Sequence, residues 1–279
     1  MAGIENRIAR IIPRKLKNVI EPFYRRMKRI LVRPTVDRPS VLTIGSWDGF
    51  EIAYRKGTAD CQVLSDAFER DIPFSGVPEY QPADNHVIID IGAHIGAFAL
   101  LSSSKVKHGR IHAIEACEES FNYLRINAAL NQSANITLHH LAITDREGTC
   151  TLYHSSSNWG HSTVQRRYSD SSERVRACTL SHFMENNQID KCDFMKLNCE
   201  GAEFPILLST PGDLLKRLET ILVMYHCDLW AGNTEVDLLD HLQRSGFKCV
   251  IRNRRDKRGW IIATNTENHT RELSARGDE

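Results

Sequence analysis

Val87-Ile-Ile-Asp-Ile-Gly-Ala-His-Ile-Gly-Ala-Phe-Ala99 decides the fold of this chain. Residues 87–91 are too short and too β-branched for an independent helix, and Gly92 and Gly96 supply the backbone freedom of a tight strand-to-helix turn. The stretch therefore reads as a nucleotide-binding βα corner. In a dinucleotide corner, G-x-G-x-x-G, the second glycine lets the backbone approach a pyrophosphate, which the helix N-terminus stabilises. Here that position is His94, and Asp90 adds a negative charge to the same loop. Such a charge repels a pyrophosphate and attracts the ammonium and sulfonium of S-adenosylmethionine (SAM), by Coulomb's law alone. Arg110-Ile-His-Ala-Ile-Glu115 is the next strand, and its terminal carboxylate falls about 20 residues after the turn, where an acid holds a ribose. Both nucleotides carry a ribose, so Glu115 fixes the sugar without choosing between them. Asp90 and His94 make SAM the expected ligand, with NAD and a purely structural turn as the alternatives.

Outward from the corner, strands and helices alternate. Helix 96–105, strand 110–115, helix 118–130 and strand 136–142 follow one another, and Gly148 then turns the chain into strand 150–154. Strand 174–179, helix 180–186, strand 193–198, helices 202–208 and 211–217, strand 220–227 and helix 234–245 come next. A closing pair, 248–253 and 260–264, ends the pattern. Repeated βα units predict a doubly wound, mostly parallel α/β sheet of seven strands with helices on both faces. The last two strands are joined by Arg254-Arg-Asp-Lys-Arg-Gly259 and must form an antiparallel hairpin at one edge. Ahead of the corner, 41–55 reads as a hairpin about Ser46-Trp-Asp-Gly49, followed by a helix 58–70 capped by Thr58 or Asp60. The expected organisation is an arm and linker, 1–39, an accessory hairpin and helix, 40–86, a nucleotide-binding domain, 87–265, and a polar tail, 266–279.

Charge is unevenly spread. The 279 residues carry 36 Lys+Arg and 35 Asp+Glu, yet 1–38 hold eleven of the former and three of the latter, so a basic arm precedes a mildly acidic body. Apolar residues from Ile4 to Leu31 recur at helical spacing between the arm's basic ones, and Pro13 and Pro22 divide it into short helices. That pattern fits a peripheral membrane or anionic-partner element, a helix packed on the body, or a dimer contact. Phe23 and Tyr24 are the arm's only aromatics, too few to indicate nucleic-acid stacking. The eight cysteines include no C-x-x-C pair, which predicts free thiols, a reducing cytoplasmic compartment and no metal site. No run has the roughly 20 apolar residues of a membrane span.

Three blocks resemble the FkbM-type methyltransferase family between about Thr58 and Thr264. Residues 87–98 are similar to its "DiGAniG" block. Ile114-Glu-Ala-Cys-Glu-Glu-Ser-Phe-Asn-Tyr-Leu124, with Asn127 and Asn131, is similar to "fEP.p..f..L..N...N", and Met195-Lys-Leu-Asn-Cys-Glu-Gly-Ala-Glu203 to "KiDvEGaE". The last is the most specific. The resemblance implies a Rossmann-like class I methyltransferase fold and SAM-dependent methyl transfer, usually to oxygen of a small-molecule or sugar-bearing acceptor. His94 departs from the family's usual Asn, Ala116 from its Pro and Asn198 from its Asp. Met224 replaces a common Glu two residues before His226. Loss of the aspartate charge at Asn198 argues against a divalent cation there.

Methyl transfer from a sulfonium depends on alignment, and a hydroxyl acceptor also needs a base. Ligands of doubly wound sheets bind beyond the carboxyl ends of the strands. By that rule Asp90, Gly92, Ala93 and Gly96 should hold the methionine moiety, Glu115 the ribose, and Leu141 and Ala142 the adenine, with His94 and Ala116 as further cofactor-binding positions. Lys196 and Asn198 should stand where donor meets acceptor. His226 is the expected base because histidine titrates near neutrality, although a strand-end histidine bonded to backbone is the plain alternative. Glu200 and Glu203 read either as base or clamp, or as caps of the next helix. Ser155–Ser162 reads as a substrate loop or an ordinary solvated one. His139 and His140 point to opposite pleats and form no site.

Overall fold

The computed structural model describes residues 41–154, 161–164 and 171–266. The arm, the tail and most of the Ser155–Ser162 loop lie outside the described residues. Strands are β1 (Val41–Trp47), β2 (Phe50–Lys56), β3 (Val87–Ile91), β4 (Arg110–Glu115), β5 (Ile136–His140) and β6 (Ala142–Ile143). β7 (Gly148–His154), β8 (Ser171–Cys178), β9 (Cys192–Leu197), β10 (Leu218–His226), β11 (Phe247–Arg255) and β12 (Arg258–Asn265) follow. Helices are α1 (Asp60–Leu64), α2 (Ile72–Ser75), α3 (Ala97–Lys105), α4 (Glu118–Leu130), α5 (Leu180–Asn186), α6 (Glu203–Ser209), α7 (Gly212–Leu215) and α8 (Glu235–Arg244). No described helix is long and apolar enough to cross a membrane.

Seven strands form the central sheet in the order β5-β4-β3-β9-β10-β12-β11. β3 pairs in parallel with both β4 and β9, and β9 with β10. The closing hairpin lies antiparallel at one edge, as its sequence indicates. Its second strand, β12, inserts antiparallel between β10 and β11, so β11 becomes the edge. Side-chain alternation divides the core in two. Ile89, Ile91, Met195, Leu197, Ile221 and Val223 face a cluster completed by α5, α6 and α8, while Ile88, Phe194 and Leu222 face the opposite side with α3 and α4.

That second face also receives the accessory segment. Ile52, Ala53, Leu64, Phe74, Val77 and Tyr80 are buried in the same cluster as Ile88 and Phe194, and Tyr80 stacks on Phe194 at 4.5 Å. The β1–β2 hairpin turns at Asp48-Gly49, both with positive φ (48° and 84°), the two-residue geometry that matches strand twist. Asn127 of α4 and Asn131 at its C-cap fasten the hairpin's open edge. Asn127 accepts from Ala53 N at 2.7 Å and donates to Ala53 O and Ile95 O, and Asn131 bonds Glu51 N and O at 2.9 Å each. The N...N spacing of the second sequence block is therefore a docking device for β2.

Two expected elements are divided or replaced. The strand anticipated over 136–142 breaks at Leu141, where β6 crosses into a small sheet of order β6-β8-β7. The helix after β2 starts as α1 and continues as a π-helical turn, Ser65–Glu69. Neither expected cap bonds the first turn from the N-cap position, which is Ala59. Thr58 Oγ1 bonds Arg55 O and Asp60 N, and the Asp60 carboxylate is taken by Arg55.

Candidate active site

A cleft opens at the carboxyl ends of β3, β4, β9 and β10. Gly92, Ala93, His94, Glu115, Ala116, Leu141, Ala142, Lys196, Asn198 and Glu200 line it, so one crevice collects ten of the sequence-selected residues. Asp90, Gly96, Glu203 and His226 lie outside the lining, for a separate reason in each case.

Asp90 is fully buried, and its Oδ1 accepts from Lys196 Nζ at 2.7 Å. The expectation of an unbalanced negative charge is corrected accordingly, because the pair is locally neutral. Lys196 Nζ, also 3.3 Å from Gly92 O, is the charged group that reaches the cleft floor. Gly96, at φ 89°, precedes α3, and a Cβ there would stand 2.5 Å from Leu124 Cδ1, so it serves the turn and the contact with α4. Gly92 is required by close approach. At φ 81°, its Cβ would lie 2.2 Å from Asn198 O, where Asn198 N also bonds Ile91 O.

The corner excludes a pyrophosphate by another route than Asp90. Gly92 N and Ala93 N donate to Ile114 O, Gly96 N to Ala93 O, and His94 N to Glu115 Oε2 at 2.7 Å. These four corner amides are thus engaged inside the protein. Glu115 Oε1 accepts from Cys117 N at 2.8 Å, and this buried carboxylate stands where the anion would sit. Burial pushes its pKa up while the two N–H donors oppose the rise. Each oxygen keeps a further acceptor position, which suits ribose hydroxyls. Ala116, Leu141, Ala142, Ile143 and Leu152 give an apolar slab beside it. Donors, acceptors and slab fit the ribose and adenine of a nucleoside.

His94 occupies its loop position with φ 54° and packs away from the turn onto the accessory segment. Its Nε2 lies 3.3 Å from Arg55 Nη2 and 3.5 Å from Asp60 Oδ1. Arg55 and Asp60 are both fully buried, and the carboxylate binds the Arg55 N–H, Nε and Nη2. Burial pushes the His94 pKa down to about 3, which leaves the ring neutral beside the guanidinium. Composition and spacing gave no sign that a residue 39 positions away would meet this corner.

Across the cleft, β9 ends in a turn built on Glu203. Its Oε1 accepts from Cys199 N at 2.8 Å and its Oε2 from Gly201 N at 2.7 Å, and it is fully buried. His226 Nδ1 lies 3.0 Å from the same Oε1. The Glu203 carboxylate organises the turn that precedes α6, bonds no first-turn amide of that helix and does not line the cleft. His226 stands behind the lining, with Nε2 3.7 Å from Glu200 Oε1. Burial lowers its pKa, but the hydrogen bond to Glu203 and the charges of Glu203 and Glu200 outweigh that and raise it. Glu200 itself lines the cleft at φ 55°, a left-handed geometry that carries strain of about 1–3 kcal/mol in a non-glycine residue. Ser162 Oγ donates to Glu200 O at 2.7 Å, so the returning end of the Ser155–Ser162 loop holds that residue in place. His161 and Thr163 beside it also line the cleft.

The accessory segment supplies the remaining wall, which sequence reasoning missed. Ala59, Val63, Asp66, Ala67, Ile72 and Pro73 line the cleft, and the π-helical turn carries two of them. Met224 from β10 completes it. The unusual Met224 was a signal within the sequence; the helix residues carried none, being ordinary amphipathic positions.

Strand order, the parallel and antiparallel pairings and a cleft at the strand ends define the class I methyltransferase fold. Within that class the chain belongs to the FkbM methyltransferase domain family, whose model matches residues 90–249, and SAM is the cofactor that membership brings. No curated protein matches the sequence significantly. Among solved structures, the chain is similar to a precorrin-6y C5,15-methyltransferase from Geobacter metallireducens, at 15% identity over 69% of this chain and 86% of that one, TM-score 0.42. It is also similar to methyltransferase FkbM from Methylobacillus flagellatus, at 15% identity over 66% of this chain and 44% of that one, TM-score 0.44. M. jannaschii TYW2, solved in complex with AdoMet, aligns at 12% identity over 82% and 87% of the two chains, TM-score 0.40.

Proposed function

We propose that the chain transfers the methyl group of SAM to a hydroxyl oxygen of a small-molecule or sugar-containing acceptor. Glu200 carries this reading: it is the carboxylate on the cleft wall across from Glu115, in a strained backbone geometry held by Ser162. When bound, the sulfonium supplies an electrophilic methyl. Glu115 accepts from the ribose hydroxyls, Ala116, Leu141 and Ala142 cover the adenine, and Lys196 Nζ offers donors to the methionine carboxylate. Glu200 would accept the proton of the acceptor O–H as the O–CH3 bond forms and the methyl–sulfur bond breaks, with S-adenosylhomocysteine as the leaving group. His226, held at Nδ1 by Glu203, positions the Glu200 carboxylate and is not itself the group that meets the acceptor. The role first given to His226 thus passes to its neighbour.

The accessory wall supports a compact acceptor. Val63, Ala67, Ile72 and Pro73 offer apolar contact to its body, and Asp66 offers an acceptor to a further hydroxyl. Lys196 is the only Lys or Arg among the described lining residues, which leaves little to hold a polyanion. The basic arm, 1–38, is the proposed contact with a membrane surface or a second copy, within the cytoplasm.

Calorimetric titration with SAM, S-adenosylhomocysteine and NAD tests the cofactor, and NAD binding without SAM binding would refute it. Glu200→Gln should abolish most turnover with S-adenosylhomocysteine affinity intact, while His226→Asn should lower turnover less. The reverse order would return the base to His226.

A further inference from the structure

We infer that Cys117, His154 and His161 form a binding site for a Zn2+ ion beside the ribose end of the cleft. One ligand atom from each of the three residues lies within 4.8 Å of the others. An ion at the centre of such a triangle is no more than about 2.8 Å from each, against bonds of about 2.0–2.3 Å for imidazole nitrogen and thiolate. Side-chain adjustments of under about 1 Å would close the shell. A thiolate with two imidazoles is a donor set that selects zinc over hard cations such as magnesium.

The surroundings fit the ion in charge and in orientation. Cys117 is buried at the N-cap of α4, and the His154 side chain hydrogen-bonds its sulfur. His154 Nε2 lies 3.4 Å from Glu173 Oε1, which also accepts from Glu118 N at 3.2 Å. One thiolate and one carboxylate balance the two charges of the ion, and a carboxylate against a ligating histidine is the usual outer partner. The His154 and His161 rings meet edge to face at 4.8 Å between centroids, so neither is directed into separate packing. A nucleophilic cysteine–histidine pair is the rival chemistry, but Cys117 is 1% exposed and does not line the cleft, so no substrate reaches it.

Spacing rules look for ligands paired along the chain and so do not register a site of this kind. Here they come from the start of α4, the end of β7 and the strand-like bridge at Tyr153–Ser162. The ion would therefore tie His161, a cleft-wall residue, to the helix that follows Glu115. On binding, the thiol proton leaves to solvent and a sulfur–zinc bond forms. The site stands independently of the proposed methyl transfer.

Chelator-treated full-length protein titrated with Co2+ tests it. One ion per chain should bind, with a thiolate-to-cobalt charge-transfer band and the strong visible bands of a four-coordinate ion, both bleached by added Zn2+. Cys117→Ser should remove the charge-transfer band, and Cys61→Ser, at an exposed position, should leave it. His161→Ala, which leaves the buried sulfur in place, should weaken Zn2+ at least tenfold, and Glu173→Gln about 10–100-fold. No bound ion, a charge-transfer band that survives Cys117→Ser, or unaltered affinity in His161→Ala would overturn the site.

Discussion

The two walls of the cleft are built in opposite ways. The ribose acid sits between two neighbouring strand ends, 92–94 and 114–116, and this acid, Glu115, is fixed by backbone N–H groups two and 21 residues away. The acceptor wall draws on 59–73, 161–163, 198–202 and Met224, and its acid, Glu200, is held by a side chain 38 residues upstream. One wall is local and the other is assembled. A single βα unit can therefore fix a cofactor, while the acceptor depends on how an accessory segment packs.

Glu200→Gln is the sharpest way to break this comparison: turnover should fall about 10²–10⁴-fold, the range of a lost general base, with S-adenosylhomocysteine affinity unchanged by calorimetry. A loss of affinity in step with turnover would mean that the two walls are not functionally distinct. Asp60→Ala should destabilise the chain by about 3 kcal/mol, because it leaves the fully buried Arg55 with only the partly exposed Glu119 carboxylate as counter-charge. In thermal unfolding that is a drop of roughly 10 °C for a domain of this size. A change of a degree or two would show that the ribose wall does not rest on the accessory segment.

The pH dependence of stability should separate the walls by sign. Burial holds His112 of β4 down to about 4 and His94 of the corner to about 3, whereas an unfolded histidine titrates near 6.5. The unfolded chain then takes up protons that these two rings refuse in the native fold, His94 in the corner and His112 packed on His139 and Phe183 behind it. Their stabilisation is present above pH 6.5 and is lost as the pH falls toward 4, on the order of 2–3 kcal/mol for the buried His112. His226 runs the other way. Its native pKa is raised, so it stabilises below about 6.5 and that contribution disappears as the pH climbs through the native value. Denaturant unfolding at stepped pH should show a shallower acid limb in His112→Asn and a shallower alkaline limb in His226→Asn. Equal slopes in both variants would discard the assignment. The smallest expected effect is His226→Asn on turnover, about tenfold or less, as for a group that positions another.

Legibility followed the same division. The strand–turn–helix at Val87–Ala99, the ribose acid and the KLNCEGAE block could be read because hydrophobic period and glycine placement are local properties. Glu203 had two readings, helix cap or reacting group, since an acid beside a helix start has the same sequence pattern whether it bonds the helix, the preceding turn or a substrate. The Cys199 and Gly201 amides and the His226 ring, converging on its two oxygens, make it the brace of the preceding turn, an arrangement that no local pattern marks. The β12 insertion was equally hidden, because a hairpin's sequence fixes the pairing of its own strands and not which of them meets β10.

By itself, then, the sequence determined the sheet's alternation, the corner and the family, all of which arise from patterns within one or two elements. The tertiary structure alone decided that Lys196 neutralises Asp90, that Arg55 and Asp60 back His94, and that Glu200 rather than His226 faces the cleft. Those outcomes depend on which buried charges find partners across long separations. A desolvated charge must be paired, and the chain's fold, not its local pattern, chooses the partner.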